Sequence, residues 1–135
     1  MAVGPPGHPL AALPATLAQL ADQPFIDYPP GWGTRAIADR AFAAAGLDRE
    51  VAFEAAEYTA VINLVRGGLG LAFLPASVAA DQGVGLAVIE ISDHVFSWRI
   101  SVAAPAGRRM SAAARAFLAE LPGPTPRHLA DRPGR

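Results

Sequence analysis

The segment Gly31-Trp32-Gly33-Thr34-Arg35-Ala36 holds the densest chemistry in the chain. It follows a β-prone run, Phe25-Ile26-Asp27-Tyr28, and opens a helix-prone one. The backbone N–H groups of Gly33, Thr34 and Arg35 therefore stand at a helix N-terminus, without intrahelical acceptors and at the positive end of the dipole. Such a place accepts an anion, and a carboxylate serves as well as a phosphate. The Thr34 hydroxyl adds a donor, Arg35 a charge and Trp32 a wall. Every helix start offers the same N–H groups, so a merely well-capped helix is an equal reading. The segment also fits the dinucleotide pattern GxGxxA, and Glu54 follows about twenty residues on, where a ribose-binding acid would sit. That fingerprint needs its first glycine in the tight turn directly after the strand, and Pro29-Pro30 push Gly31 away from it. Tyr58 and Thr59 open the next helix and reach the same crevice, at the carboxyl ends of the strands. Helical spacing alone also explains Tyr58 as a core residue.

Catalytic and metal constellations are poor. Ser77, Ser92, Ser97, Ser101 and Ser111 include no GxSxG elbow. His8, His94 and His128 lie far apart, with no HxxxH or HExxH pairing. With no Cys there is no thiol nucleophile, disulfide or Cys-based metal site. Asp93-His94 reads as a turn, and Glu54 and Glu57 as solvated acids. No enzyme, metal or cofactor is expected. The net charge is −1 and the 11 basic residues, all Arg, are scattered, so no basic field exists for a phosphate backbone. No stretch approaches the roughly 20 apolar residues that span a bilayer. The opening Met-Ala-Val-Gly-Pro-Pro-Gly lacks the features of a signal peptide. A cytoplasmic, single-domain chain without a membrane partner is expected.

The elements that must position these residues follow from periodicity. Residues 1 to 14 are rich in Pro and Gly, and regular structure is not expected before Pro14. Leu13, Leu17 and Leu20 mark a short helix ending near Asp22. Residues 25 to 28 form a strand, and Thr34 caps a helix with Ile37, Ala41 and Ala44 or Ala45 inward and Phe42 on its flank. Gly46 ends that helix. Val51 to Glu54 is the next strand; Tyr58, Val61, Ile62 and Val65 give one buried helix face, closed by Gly67-Gly68. Leu69 to Leu74 suits a strand buried on both faces. A helical turn from Pro75 to Asp81, an apolar segment from Leu86 to Ile91 and an alternating strand from Trp98 to Ala104 follow. Ser111 caps a last helix with Ala114, Phe117, Leu118 and Leu121 inward. The alternation of strands and helices predicts an α/β fold with a mostly parallel sheet.

So assembled, the chain resembles the effector-binding (substrate-binding) domain of LysR-type bacterial transcriptional regulators, in its C-terminal half. His8-Pro9-Leu10-Ala11 resembles the family's HPLA segment, and Leu20-Ala21-Asp22 with Pro24-Phe25-Ile26 its approach to a strand. Pro29 to Arg35 occupies the ligand-loop position. Most specific is Leu64-Val65-Arg66-Gly67-Gly68-Leu69-Gly70-Leu71-Ala72-Phe73-Leu74-Pro75, similar to the helix-to-strand signature. Gly107-Arg108-Arg109 through Ser111, Ala114, Phe117 and Leu118 resembles the closing helix.

The resemblance implies a type 2 periplasmic-binding-protein-like fold, with a distal lobe and a C-terminal return to an incomplete proximal lobe. Residues 1–121 would be the partial domain, about 22–91 the distal lobe and 92–121 the return, with 122–135 a flexible Pro/Arg-rich tail. It implies effector sensing, with a small organic acid or amino-acid-like compound as ligand. Carried over, Gly33, Thr34 and Thr59 are the contacts, flanked by Trp32 and Arg35, with Tyr58, Leu74 and Pro75 as walls. The family's helix-turn-helix is absent from these residues, so no direct DNA contact is expected of this chain. Self-association, or pairing with a missing N-terminal half, is expected instead. A solute-binding protein of transport shares the fold, and a small nucleotide-dependent enzyme built on the GxGxxA segment is the remaining alternative.

Overall fold

The computed structural model describes residues 1–97, 102–103 and 110–121. The chain divides into two compact units, Met1–Ile100 and Ser101–Arg135, and each is described by itself.

The first unit is built on a β-α-β arm. The aromatic and β-branched run Phe25–Asp27 forms β2, bounded by Pro24 and by Pro29-Pro30, which have no N–H to extend a ladder. Helix α2, Gly33–Ala44, crosses to β3, Val51–Glu54, which pairs parallel with β2 in the register Phe25↔Val51, Ile26↔Phe53 and Asp27↔Glu54. The buried stripe of α2 is Thr34, Ala38, Ala41 and Phe42. The expected stripe is thus rotated: Ile37 is half-buried, Ala44 and Ala45 are exposed, and Phe42 points into the core. The helix also starts earlier than expected. Trp32 takes the N-cap position, without a side-chain capping bond, and Thr34 lies inside the first turn. The turn closed by Trp32 N–H on the Pro29 carbonyl (3.2 Å) brings the chain into helix at Gly33. Gly46, at φ 68°, ends the helix as its sequence position suggested.

Helix α3, Tyr58–Arg66, buries Val61, Ile62 and Val65. Of the run Leu69 to Leu74, expected buried on both faces, residues 70–74 are buried, Leu69 is exposed, and Ala72–Phe73 is strand β4. Leu71 bridges parallel to Phe25, with Ile26 N–H on the Leu71 carbonyl (2.8 Å) and Leu71 N–H on the Pro24 carbonyl (2.9 Å).

Two expectations are corrected at the N-terminus. Regular structure begins at Ala2: β1, Ala2–Gly4, is the middle strand of a three-stranded sheet, antiparallel to both β4 and β5, Ala87–Ile89. That sheet is antiparallel throughout, and the parallel β2–β3 pair is a separate two-stranded sheet; linked by the Phe25–Leu71 bridge they make a mixed layer, not a mostly parallel sheet. Pro5 ends β1 but does not prevent it, and full burial of Ala2 and Val3 supplies the drive.

Alternate residues of β1, β2 and the 71–74 run enter two different core clusters. Ala2, Phe25, Leu71 and Phe73 meet Leu17 and Leu20 of α1 (Leu17–Ala21) and Ala38 and Phe42 of α2. Val3, Ile26, Ala72 and Leu74 meet Val61, Ile62 and Val65 of α3, with Val78 and Ala79 of α4 (Ala76–Gln82) at the margin. With a period of two, this places helices on both faces of one sheet layer.

In the second unit, helix α5, Ala112–Glu120, is capped by Ser111, whose Oγ accepts from Ala114 N–H at 3.1 Å. Ala114, Leu118 and Leu121 are half-buried, whereas Phe117, expected inward, is 63% exposed. Within the expected strand from Trp98 to Ala104, only Val102 and Ala103 are described; both are exposed and outside regular structure. The rest of that strand and the tail 122–135 lie outside the described residues.

Candidate effector-binding site

A cavity of about 210 Å³ opens in the first unit, where the end of β4 meets the start of α2. Thr34 and Ile37 line it from α2, Phe73, Leu74, Pro75 and Ala76 from the β4–α4 connection, and Met1, Phe96 and Ser97 complete it. Phe96 packs on Phe73 with ring centroids 4.5 Å apart. Thr34 is only 6% exposed, and the free N–H groups of the α2 N-terminus stand beside it. The site therefore combines an apolar wall with a small polar corner. That combination suits a compact ligand carrying one anionic end. The polar side chains among the described lining residues are the Thr34 and Ser97 hydroxyls, and among the described residues no group of three potential metal ligands occurs.

Of the residues singled out in the sequence, Thr34, Leu74 and Pro75 come together on this cavity. Trp32, 43% exposed, does not line it but stacks on Tyr28, with centroids 5.9 Å apart and planes 14° apart. Tyr58 meets Tyr28 edge-on at 5.5 Å, and Gly33 and Thr59 are exposed, none of the three on the cavity.

Arg35 was expected to offer its charge to a ligand, and the structure directs it elsewhere. Its Nε lies 3.0 Å from both Asp39 carboxylate oxygens, and its Nη1 donates to Glu54 Oε1 (2.9 Å) and to the Tyr28 carbonyl (3.1 Å). Burial works against the Arg35 charge, but the bonds to Glu54 and Asp39 outweigh it, so its pKa is raised. The same bond occupies Glu54, the acid on which a ribose would depend.

Beneath lies a second pair: Arg49 Nη1 meets Asp27 Oδ2, Arg49 Nη2 meets Asp39 Oδ1 at 2.6 Å, and the guanidinium covers the Phe25 ring at 5.2 Å. The Tyr28 hydroxyl is buried without a hydrogen-bond partner among the described residues. Burial, then the Tyr58 and Asp27 charges, push its pKa well above the usual phenol value.

Sequence reasoning missed Phe73, Ala76, Phe96 and Ser97 as lining residues. Ile37 was legible as the residue one turn after Thr34, but was assigned to the core alone. Phe73 and Ala76 flank the Leu74-Pro75 pair; Phe96 and Ser97 carry no local signal, since a distant segment brings them in.

A mixed sheet with helices on both faces and a crevice at a strand end defines an α/β fold of the type 2 periplasmic-binding-protein kind. Residues 1–123 match the LysR substrate binding domain family, and the chain belongs to that family. It is 37% identical over 97 residues to the HTH-type transcriptional regulator CatR of Pseudomonas putida, covering 69% of this chain and 33% of that protein. It is 34% identical over 106 residues to the RuBisCO operon transcriptional regulator of Acidithiobacillus ferrooxidans, covering 77% and 34%. The chain thus spans about a third of the length of these relatives. Among solved structures, it is similar to the effector binding domain of QuiR in complex with shikimate, with TM-score 0.75 and 26% identity, covering 86% of this chain and 56% of that one. No helix among the described residues is long and apolar enough to cross a membrane.

Proposed function

We propose that this chain senses a small cyclic carboxylate as the effector-binding part of a LysR-type regulator, with the 210 Å³ cavity forming one wall of the effector cleft. The observation that carries the reading is Thr34: a residue only 6% exposed at the start of α2 that lines the cavity together with the apolar Ile37, Leu74, Pro75 and Phe96. The carboxylate rests on Thr34, the one residue of the α2 N-terminus that lines the cavity, and the ring on the apolar wall. Shikimate, the ligand in the QuiR complex, has this chemistry. Trp32 and Thr59 flank the approach rather than the wall.

In this reading residues 22–91 with β1 are the distal lobe, and 92–121 lead back to a proximal lobe. DNA binding and the opposite wall of the cleft belong to the length of the relatives that this chain does not span, in the same or a second chain. The effector binds the closed cleft better than the open one and so shifts the population of the regulator between oligomeric states in the cytoplasm. In this reading the protein acts as a sensor, and the polar side chains of the cavity, Thr34 and Ser97, serve to bind.

Calorimetric titration of the full chain with shikimate, benzoate and a nucleotide panel tests this. A carboxylate is expected to bind, and Thr34→Val to weaken it by about tenfold or more, the worth of one hydrogen bond to a charged group. Binding of nucleotides alone, or affinity indifferent to Thr34→Val, would sink the reading.

A further inference from the structure

We infer that Arg35 is a positioning residue for the cavity: it fixes the helix start that binds the ligand, without touching the ligand itself. The inference rests on the reading of the cavity as the effector site. Beyond the stack of Trp32 on Tyr28, the loop from Tyr28 to Trp32 has few constraints of its own. Pro29 and Pro30 donate no N–H, Gly31 sits at φ 94°, and the Trp32 side chain makes no capping bond. One backbone bond, from Trp32 N–H to the Pro29 carbonyl, closes the turn.

Arg35 supplies what the loop lacks. Its Nη1 reaches back over the helix start to the Tyr28 carbonyl, the first residue of the loop, and also bonds Glu54 at the end of β3. Its Nε is held by Asp39, one turn along α2. A single planar group thereby joins the ends of β2 and β3 to the body of α2, right next to Thr34. Only a guanidinium spans these three directions; a lysine ammonium is a point charge and reaches fewer of them. Glu54 is 47% exposed, so its ion pair contributes little to global stability. Position and stability are therefore separable by experiment.

The test uses the full chain with Trp98→Phe, which leaves Trp32 as the sole indole, in wild-type, Arg35→Met and Arg35→Lys forms. Three quantities are read: acrylamide quenching of Trp32, exchange of the Ala36 amide, which bonds the Trp32 carbonyl at 2.9 Å, and affinity for shikimate. Arg35→Met is expected to raise quenching and speed Ala36 exchange about tenfold or more, as for a local opening. Shikimate binding should weaken about tenfold in the folded protein, with Arg35→Lys in between. Glu54→Ala removes one arm at an exposed position and keeps the test open if Arg35→Met does not fold; a smaller change in the same direction is expected.

Unchanged quenching and exchange overturn the inference, as does a loosened helix start with undiminished affinity. If the parent chain binds no carboxylate while Arg35→Met still loosens the helix start, the effector reading fails and the role of Arg35 at that helix start stands.

Discussion

Arg49 Nη1 lies 2.5 Å from Asp27 Oδ2, with both side chains only 4% exposed. Such a pair is removed almost wholly from water, and its mutual attraction is set against two desolvation costs. Breaking it from the Arg49 side leaves the buried Asp27 carboxylate with the longer contact to Arg35 Nε, at 3.6 Å, as its remaining ion pair. Arg49→Met is therefore expected to destabilise the fold by about 3–5 kcal/mol, whereas Arg49→Met with Asp27→Leu recovers part of that loss. Urea denaturation of the two variants checks the ordering; equal losses in both would mean that Asp27 serves mainly through its bond to Tyr28 N–H, at 2.8 Å.

Tyr28 offers a prediction of the opposite sign. Its hydroxyl is buried and unpartnered, so Tyr28→Phe is expected to be neutral or to stabilise by about 1 kcal/mol. The phenol pKa is raised in the fold. Its contribution is therefore full below the unfolded value near 10 and is lost as pH rises above it, because only the unfolded chain then ionises readily. Thermal melts between about pH 9 and 11 should fall more steeply for the parent than for Tyr28→Phe. Parallel slopes would refute the assignment.

Gly70 marks the closest approach of the β4 run to β2. Its φ is 156°, and a Cβ there would come within 2.5 Å of the Pro24 carbonyl oxygen, which is backbone and does not yield. Gly70→Ala is expected to cost about 1–3 kcal/mol and to disturb the Phe25–Leu71 bridge. Gly7, also at positive φ but with open space around it, provides the comparison: there alanine meets only the backbone preference, about 1 kcal/mol.

Much of the fold was legible because it is local. The β2–α2–β3 and α3 patterns follow from period-two and period-3.6 runs bounded by Pro and Gly, and Gly46 and Ser111 act at the boundaries their types imply. What was not legible is what only distant contacts decide. The Pro/Gly-rich opening reads as irregular, yet Ala2 and Val3 become strand because Phe73, Ile89 and Val88 stand ready to pair with them. Arg35 reads as a free charge beside a helix start until Asp39, Glu54 and the Tyr28 carbonyl converge on it. Thr34 reads as a cap because threonine favours that position, but the chain enters the helix two positions sooner, with Trp32 at the cap. Phe96 and Ser97 reach the cavity from a segment with no motif at all.

The placement of β1 also governs when the fold can close during synthesis. This strand is made before both of its partners, β4 and, later still, β5, so Ala2 waits for Ile89. At about 5–20 residues per second the nascent chain spends on the order of ten seconds with its middle strand unpaired. During that interval the β2–α2–β3 arm can form from near neighbours, while a short apolar strand remains open to holdase chaperones or to other nascent chains. Closure of this sheet is thus ordered from its flank inward, and Ala2 and Val3 find their full pairing only after Val88 and Ile89 have been made.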